Sequence, residues 1–129
     1  MSVQPKLSSR FLVIGVLAAP LGMTLGILMA ASGNHQLAPV HAHLLLLGWV
    51  GFFLHGLYYR LAGVTQPALA GWHFNFAFVG VLLLVPSLAA LLSGYKSAEP
   101  VSAFASLLLI IAYLLFAVVV IRDTTRRAG

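Results

Sequence analysis

Apolar residues fill the chain in four long runs, at 11–31, 40–61, 68–92 and 101–121. Each reaches about 20 residues, the length of helix that crosses a hydrocarbon core. The breaks between them are short and polar or rich in turn formers. The first holds Ser32, Gly33, Asn34, His35 and Gln36, the second Gly63, Thr65, Gln66 and Pro67, and the third Ser93, Gly94, Tyr95, Lys96, Glu99 and Pro100. Connections this short make successive helices antiparallel neighbours. The pattern predicts an all-α integral membrane four-helix bundle, a single domain over residues 1–129. Lys6 and Arg10 before the first run, and Met29, Ala30 and Ala31 at its end, have the layout of a signal peptide. The apolar stretch is too long for a typical leader, so it reads as a span.

Two finer features sit inside the runs. Ala18, Gly22, Gly26 and Ala30 recur at a strict four-residue spacing, a stripe that lets another helix backbone come close, in this chain or another. Pro20 and Pro86 fall inside the first and third helices, where each removes a backbone donor and predicts a kink. No internal repeat or low-complexity segment is visible.

Composition strengthens the membrane reading. Hydrophobic residues make up 61% of the chain and charged residues 7%, against roughly 25% charged in a soluble domain. So few charges cannot cover a water-facing surface. The net charge of +5 comes from scattered residues rather than the dense basic patch that a nucleic-acid partner requires. Lys6, Arg10, Arg60, Arg122, Arg126 and Arg127 fall on one side of the predicted topology, and Lys96 alone on the other. The positive-inside rule then places both termini in the cytoplasm, in a multi-pass protein of the inner (cytoplasmic) membrane. His41, at the start of the second helix, falls toward the outer face.

Polar groups inside apolar runs carry the chemical information. The two acids, Glu99 and Asp123, sit at the edges of the runs. The sequence therefore predicts no buried acid, which argues against a self-contained proton pump, a carboxylate metal centre or a glycosidase-like acid pair. There is no cysteine, which excludes disulfides, thiolate metal sites, iron–sulfur clusters and covalent c-type haem attachment. The five histidines stand out: His35, His41, His43, His55 and His73. Neutral imidazole is a ligand for haem iron, copper and zinc.

His41 and His43 lie two apart and point about 200° from each other on a helix. They serve two sites, or one ligand site and one hydrogen bond. His41, Gly48 and His55 are spaced by sevens. That leaves an offset of about 20° per step, so the three share a stripe in a regular helix. Gly48 then offers either an open face for a flat cofactor or a helix-packing contact. His55 and His73 come to the same depth in antiparallel neighbours. With Tyr58, Tyr59, Trp72 and Asn75 they form either an inner site or an interfacial belt. His35 falls in a loop and reads as solvated.

The stretch HAHLLLLGWV at 41–50, continuing to Gly56, Leu57, Tyr58, Tyr59 and Arg60, resembles the second transmembrane helix of the haem-copper oxidase catalytic subunit, and most closely its nitric oxide reductase branch. In that family a histidine opens the helix as an axial ligand of the low-spin haem, and a Tyr-Tyr pair closes it. The matching position here is His41. The run at 69–76, LAGWHFNF, loosely resembles the start of the next helix. The resemblance implies a non-covalent b-type haem, with copper as a further possible metal. The family's subunit is much larger, built of arcs of helices with approximate threefold symmetry, each arc the size of this chain. A homotrimer of this chain would reproduce that shape, with His41 of one copy and His43 of the next holding a haem at each interface.

The expected function is thus a haem-binding membrane protein for electron transfer or haem-based sensing, with no open axial position for gas chemistry. Its cofactor-binding candidates are His41, His43, Gly48, His55 and His73, with His41 and His43 as metal ligands. Its partners are the lipid bilayer, further copies of the chain and a redox partner that the sequence does not specify. Two alternatives are an oligomeric oxygen or nitric oxide reductase-like enzyme and a cofactor-free accessory protein with interfacial histidines.

Overall fold

The structure is a computed structural model that describes residues 3–128, with side chains from Lys6 onward. Met1, Ser2 and Gly129 lie outside the described residues. Four helices make up the chain: α1 over Val3–Ser32, α2 over Ala38–Ala62, α3 over Pro67–Leu92 and α4 over Glu99–Ala128, the last entered through a short 3-10 turn at Lys96–Ala98. All four are long and apolar enough to cross a membrane. The outer helices run further than the apolar runs alone predict, because α1 starts before Phe11 and α4 continues through its basic end. The chain leaves α1 through Gly33 (φ 69°) and α2 through Gly63 (φ 77°), left-handed conformations that glycine adopts without strain.

The closest pairings are α1 with α2 and α3 with α4, so the bundle consists of two antiparallel hairpins. Large apolar side chains such as Leu17, Leu21, Ile27, Leu61, Leu107 and Leu114 are exposed. An apolar exterior of this extent suits lipid rather than water. In lipid, apolar burial does not draw helices together, and close packing carries the association instead.

The α1–α2 hairpin is built on that kind of packing. A Cβ added at Gly15 would lie 3.0 Å from the Phe53 backbone nitrogen, and one at Gly48 would lie 3.1 Å from Ala18 Cβ. One at Gly22 would overlap Leu45, and one at Gly26 would lie 2.8 Å from His41 Cε1. The partner of the small-residue stripe is therefore α2 of the same chain. Ala18, Gly22 and Gly26 belong to the contact, whereas Ala30 is exposed. In the α3–α4 hairpin, Gly80 abuts Leu109, and the buried Ser102 hydroxyl donates to Ser87 Oγ at 2.9 Å. The helices run unbroken through Pro20 and Pro86.

One departure from regular geometry reshapes α2. Residues Leu44–Gly51 form a π-helical segment, in which each residue turns less than in an α-helix. The seven-residue stripe predicted for His41, Gly48 and His55 is therefore broken. His41 and Gly48 face α1, while His55 is rotated toward α3 and α4, where it meets His73, Tyr113 and Phe116.

Apart from Lys96, in the turn before α4, the basic residues gather at one end of the bundle. Arg60 donates to Ser9 Oγ at 2.9 Å, Arg122 to Gln66 Oε1 at 3.1 Å and Arg127 to the Ala62 carbonyl at 2.8 Å. The last bond satisfies a carbonyl that the end of α2 leaves without an intrahelical donor. At the opposite end Gln36 donates to the Leu92 carbonyl, joining the two loops there.

These contacts predict a contrast between two glycines. Gly15→Val should push the α1 and α2 backbones apart and destabilise the fold by about 1–3 kcal/mol. Gly71 has open space around its would-be Cβ, so Gly71→Ala should gain up to about 1 kcal/mol of helix propensity. Unfolding by titration with sodium dodecyl sulfate from mild detergent measures both.

Candidate functional site

The histidines separate into two groups, near opposite ends of α2 and roughly 20 Å apart along its axis. At the basic end, His55 of α2 and His73 of α3 meet, with ring centroids 4.5 Å apart and planes at 78°. They are 4% and 0% exposed. Phe11 and Phe116 lie against both rings, at 5.7 and 5.0 Å for Phe11 and at 4.4 and 5.1 Å for Phe116. Tyr113 stands 5.1 Å from His55, with its hydroxyl over Gly51, where a Cβ would come within 2.6 Å of it. All four helices thus send an aromatic residue to one point.

Tyr59 is buried beside this pair, and its hydroxyl is hydrogen-bonded to His73 Nδ1 at 2.9 Å. His55 Nδ1 and His73 Nε2 have no partner, and they are the only buried side-chain nitrogen or oxygen atoms so placed among the described residues. An unpaired buried polar atom costs about 1–3 kcal/mol. Of the inner set predicted from the sequence, the fold brings His55, His73 and Tyr59 together. Trp72 and Asn75 are exposed and take no part.

Tyr58 turns to a second polar knot. Its hydroxyl donates to Asp123 Oδ2 at 2.9 Å, while Asp123 Oδ1 accepts from the Thr65 hydroxyl and, at 3.5 Å, from Gln66 Nε2. Asp123 is only 3% exposed. The expectation that no acid is buried is corrected here. Asp123 lies at the edge of the apolar run, as the pattern indicates, but the 63–66 loop folds over it. Its donors are distant in sequence, so no local pattern announces the burial. Phe11, Tyr113 and Phe116 were likewise missed, because single aromatics in apolar runs carry no distinguishing signal.

At the other end, His41 and His43 point to different sides of α2. The Nδ1–H of His41 donates to the Gly22 carbonyl of α1 at 2.7 Å. The Nδ1–H of His43 donates to the Pro39 carbonyl of its own helix at 2.7 Å. A carbonyl only accepts, so each bond holds the proton on Nδ1 and leaves the Nε2 lone pair free. An imidazole oriented this way has the form found in metal-ligating histidines. Gly26 provides the space for the His41 ring. His35 is exposed and bonded to the Gly33 carbonyl at 3.3 Å, close in sequence to His41 but turned to its own loop.

An apolar cleft of about 300 Å³ opens between α1, α2 and α3, lined among others by Leu17, Ala18, Leu44, Gly48, Val81 and Pro86 and not by His41 itself. Leu44 is one turn from His41. Leu21, also in the lining, precedes the Gly22 that accepts the His41 bond. Gly48 takes both of its predicted roles, as a packing contact with Ala18 and as part of the cleft wall. No group of three or more His, Cys, Asp or Glu side chains gathers among the described residues. A metal at either end therefore has two imidazoles at most from one chain, or draws on a cofactor or another copy.

Tyr59→Phe should leave His73 Nδ1 unpaired and cost about 1–3 kcal/mol of stability. Trp72→Phe, at an exposed position, should stay within about 0.5 kcal/mol. The same unfolding titration distinguishes them.

No known family model matches the chain, and no curated protein or solved structure is significantly similar to it.

Proposed function

We propose that this chain is a multi-pass haem protein of the inner membrane, with His41 as an axial ligand, and that it transfers electrons or senses through that haem. The observation that carries this reading is the His41 imidazole. It is anchored through Nδ1 on the Gly22 carbonyl, with its ring against Gly26 and no hydrogen bond to Nε2, one helical turn from Leu44 at the end of an apolar cleft. Small-molecule cofactors suit concave apolar sites with a few fixed polar groups, and the apolar lining of this cleft with the fixed His41 imidazole near its end is of that kind. The likeness of residues 41–60 to the haem-ligating helix of haem-copper oxidases supports the same assignment. With no cysteine to form thioethers, the haem would be non-covalent, and the family resemblance favours the b type. When bound, it supplies one-electron chemistry at iron.

The chain's own part is to hold and orient the ring. Gly22 accepts its proton-bearing nitrogen, Gly26 makes room for it, and the apolar walls limit water around the iron. His43, turned to the other side of α2 with its own Nε2 free, would help to hold the haem of a neighbouring copy. Three copies close such a ring. A haem held by two such histidines would supply electron transfer or sensing rather than gas reduction. The gathering of basic residues at the other end of the bundle supports cytoplasmic termini, and on that orientation His41 would lie toward the outer leaflet.

The test is a reduced-minus-oxidised visible spectrum of protein expressed with ample haem. Sharp haem bands are expected in the wild type, lost in His41→Ala and retained in His73→Ala, with no change under carbon monoxide. A colourless wild type overturns the haem assignment, and metal analysis of that sample then shows whether copper takes its place. A shift under carbon monoxide indicates an open axial position and the gas-reducing alternative. Haem that stays bound at protomer mass in detergent overturns the trimer.

A further inference from the structure

The start of α1 carries positive charge that no acidic side chain of the protein neutralises. The only acids are Glu99 and Asp123. Glu99 opens α4 at the opposite end of the bundle, and Asp123 is engaged by Tyr58, Thr65 and Gln66. Lys6, Arg10 and Arg60 are thus left without a carboxylate side chain to pair with. We infer that the hollow between Lys6, Ser9 and Arg10 holds the phosphate of one anionic phospholipid, whose acyl chain lies along the apolar face of α1 beyond it. The inference rests on the membrane reading of the four helices and not on the haem.

The hollow measures about 440 Å³ and is lined by Lys6, Ser9, Arg10, Val13 and Ile14. Its polar and apolar parts follow the order of a phospholipid. Lys6, Arg10, Val13 and Leu17 fall within about 60° of one another around a helix, and all four are exposed. Along this one face, two cations at the basic end give way to aliphatic side chains. Long basic side chains at a membrane boundary lay their stems on apolar surface and keep their charge at the level of the headgroups. Ser9 adds a directed contact. Its Oγ accepts from Arg60 of α2 at 2.9 Å, which brings a third cation to the rim and leaves the hydroxyl proton to donate to a phosphate oxygen. A zwitterionic headgroup would bring a further cation to a place that already has three. A free phosphate would answer the charges but leave Val13 and Ile14 uncovered, whereas an anionic phospholipid meets both parts.

The test is native mass spectrometry of the full chain in mild detergent, titrated with phosphatidylglycerol or with phosphatidylcholine of the same acyl chains. One phosphatidylglycerol is expected to bind the wild type at least ~10-fold more tightly than phosphatidylcholine. The Lys6→Gln, Arg10→Gln double variant should lose that preference. Ser9→Ala, which leaves the net charge unchanged, should weaken phosphatidylglycerol binding by ~3–10-fold. The Arg126→Gln, Arg127→Gln double variant removes the same charge from α4 and should retain the preference. Equal binding of the two lipids by the wild type overturns the site. So does a preference that survives loss of Lys6 and Arg10, or that falls as far with Arg126 and Arg127, which would mark a general effect of charge. Displacement of the lipid by an equal concentration of inorganic phosphate also overturns it, in favour of a free anion. Lys6 and Arg10 are exposed, so their replacement leaves the packing of α1 intact, and the wild-type comparison needs no variant. The outcome is independent of the haem spectrum.

Discussion

The backbone contact between α1 and α2 is the constraint on which both candidate sites depend. Gly15, Ala18, Gly22 and Gly26 remove side-chain bulk along one face of α1, and α2 settles against that face. Only at this distance can His41 reach the Gly22 carbonyl. The same approach carries Phe11 of α1 into the aromatic cluster beyond α2, where it touches His55 and His73. A bulkier residue in the stripe would separate the helices and loosen both ends of the bundle together. In an apolar medium this contact cannot be replaced by hydrophobic attraction, so the small residues hold the hairpin together by packing alone.

Polar groups inside such a bundle are few, and nearly all are committed. Ser87 and Ser102 satisfy each other, Asp123 is held by three side chains from α2 and the following loop, and His41 and His43 are tied to carbonyls. Against this background the two bare nitrogens of His55 and His73 are the exception. Their placement where all four helices converge also makes them a joint between the two hairpins. α2 and α4 meet there through His55, Tyr113 and Phe116 rather than through close backbone contact.

The π-helical segment of α2 divides the histidines between the two ends. In a continuous α-helix His41 and His55 would share a face and compete for one region. The slower turn through Leu44–Gly51 lets His41 remain against α1 while His55 faces α3 and α4. Gly48 and Gly51 lie in this widened stretch, and they admit Ala18 on one side and the Tyr113 hydroxyl on the other.

The four helices, their antiparallel order and the collection of basic residues at one end were legible in the sequence. These follow from apolar run length, loop length and charge position, which are properties of local segments. The opposite directions of His41 and His43 were legible too, since both precede the π segment and regular helix geometry holds between them. The equal depth of His55 and His73 followed from antiparallel pairing. What needed the tertiary structure was rotation about each helix axis. It decided that Tyr59 rather than Trp72 joins the histidines, that His55 leaves the stripe of His41, and that α2 of the same chain receives the small residues of α1. It also buried Asp123 beneath a loop distant in sequence. A rotation is set by the sum of contacts that a helix makes on all sides, including a change of helical pitch within α2, and no single segment of the sequence carries that sum.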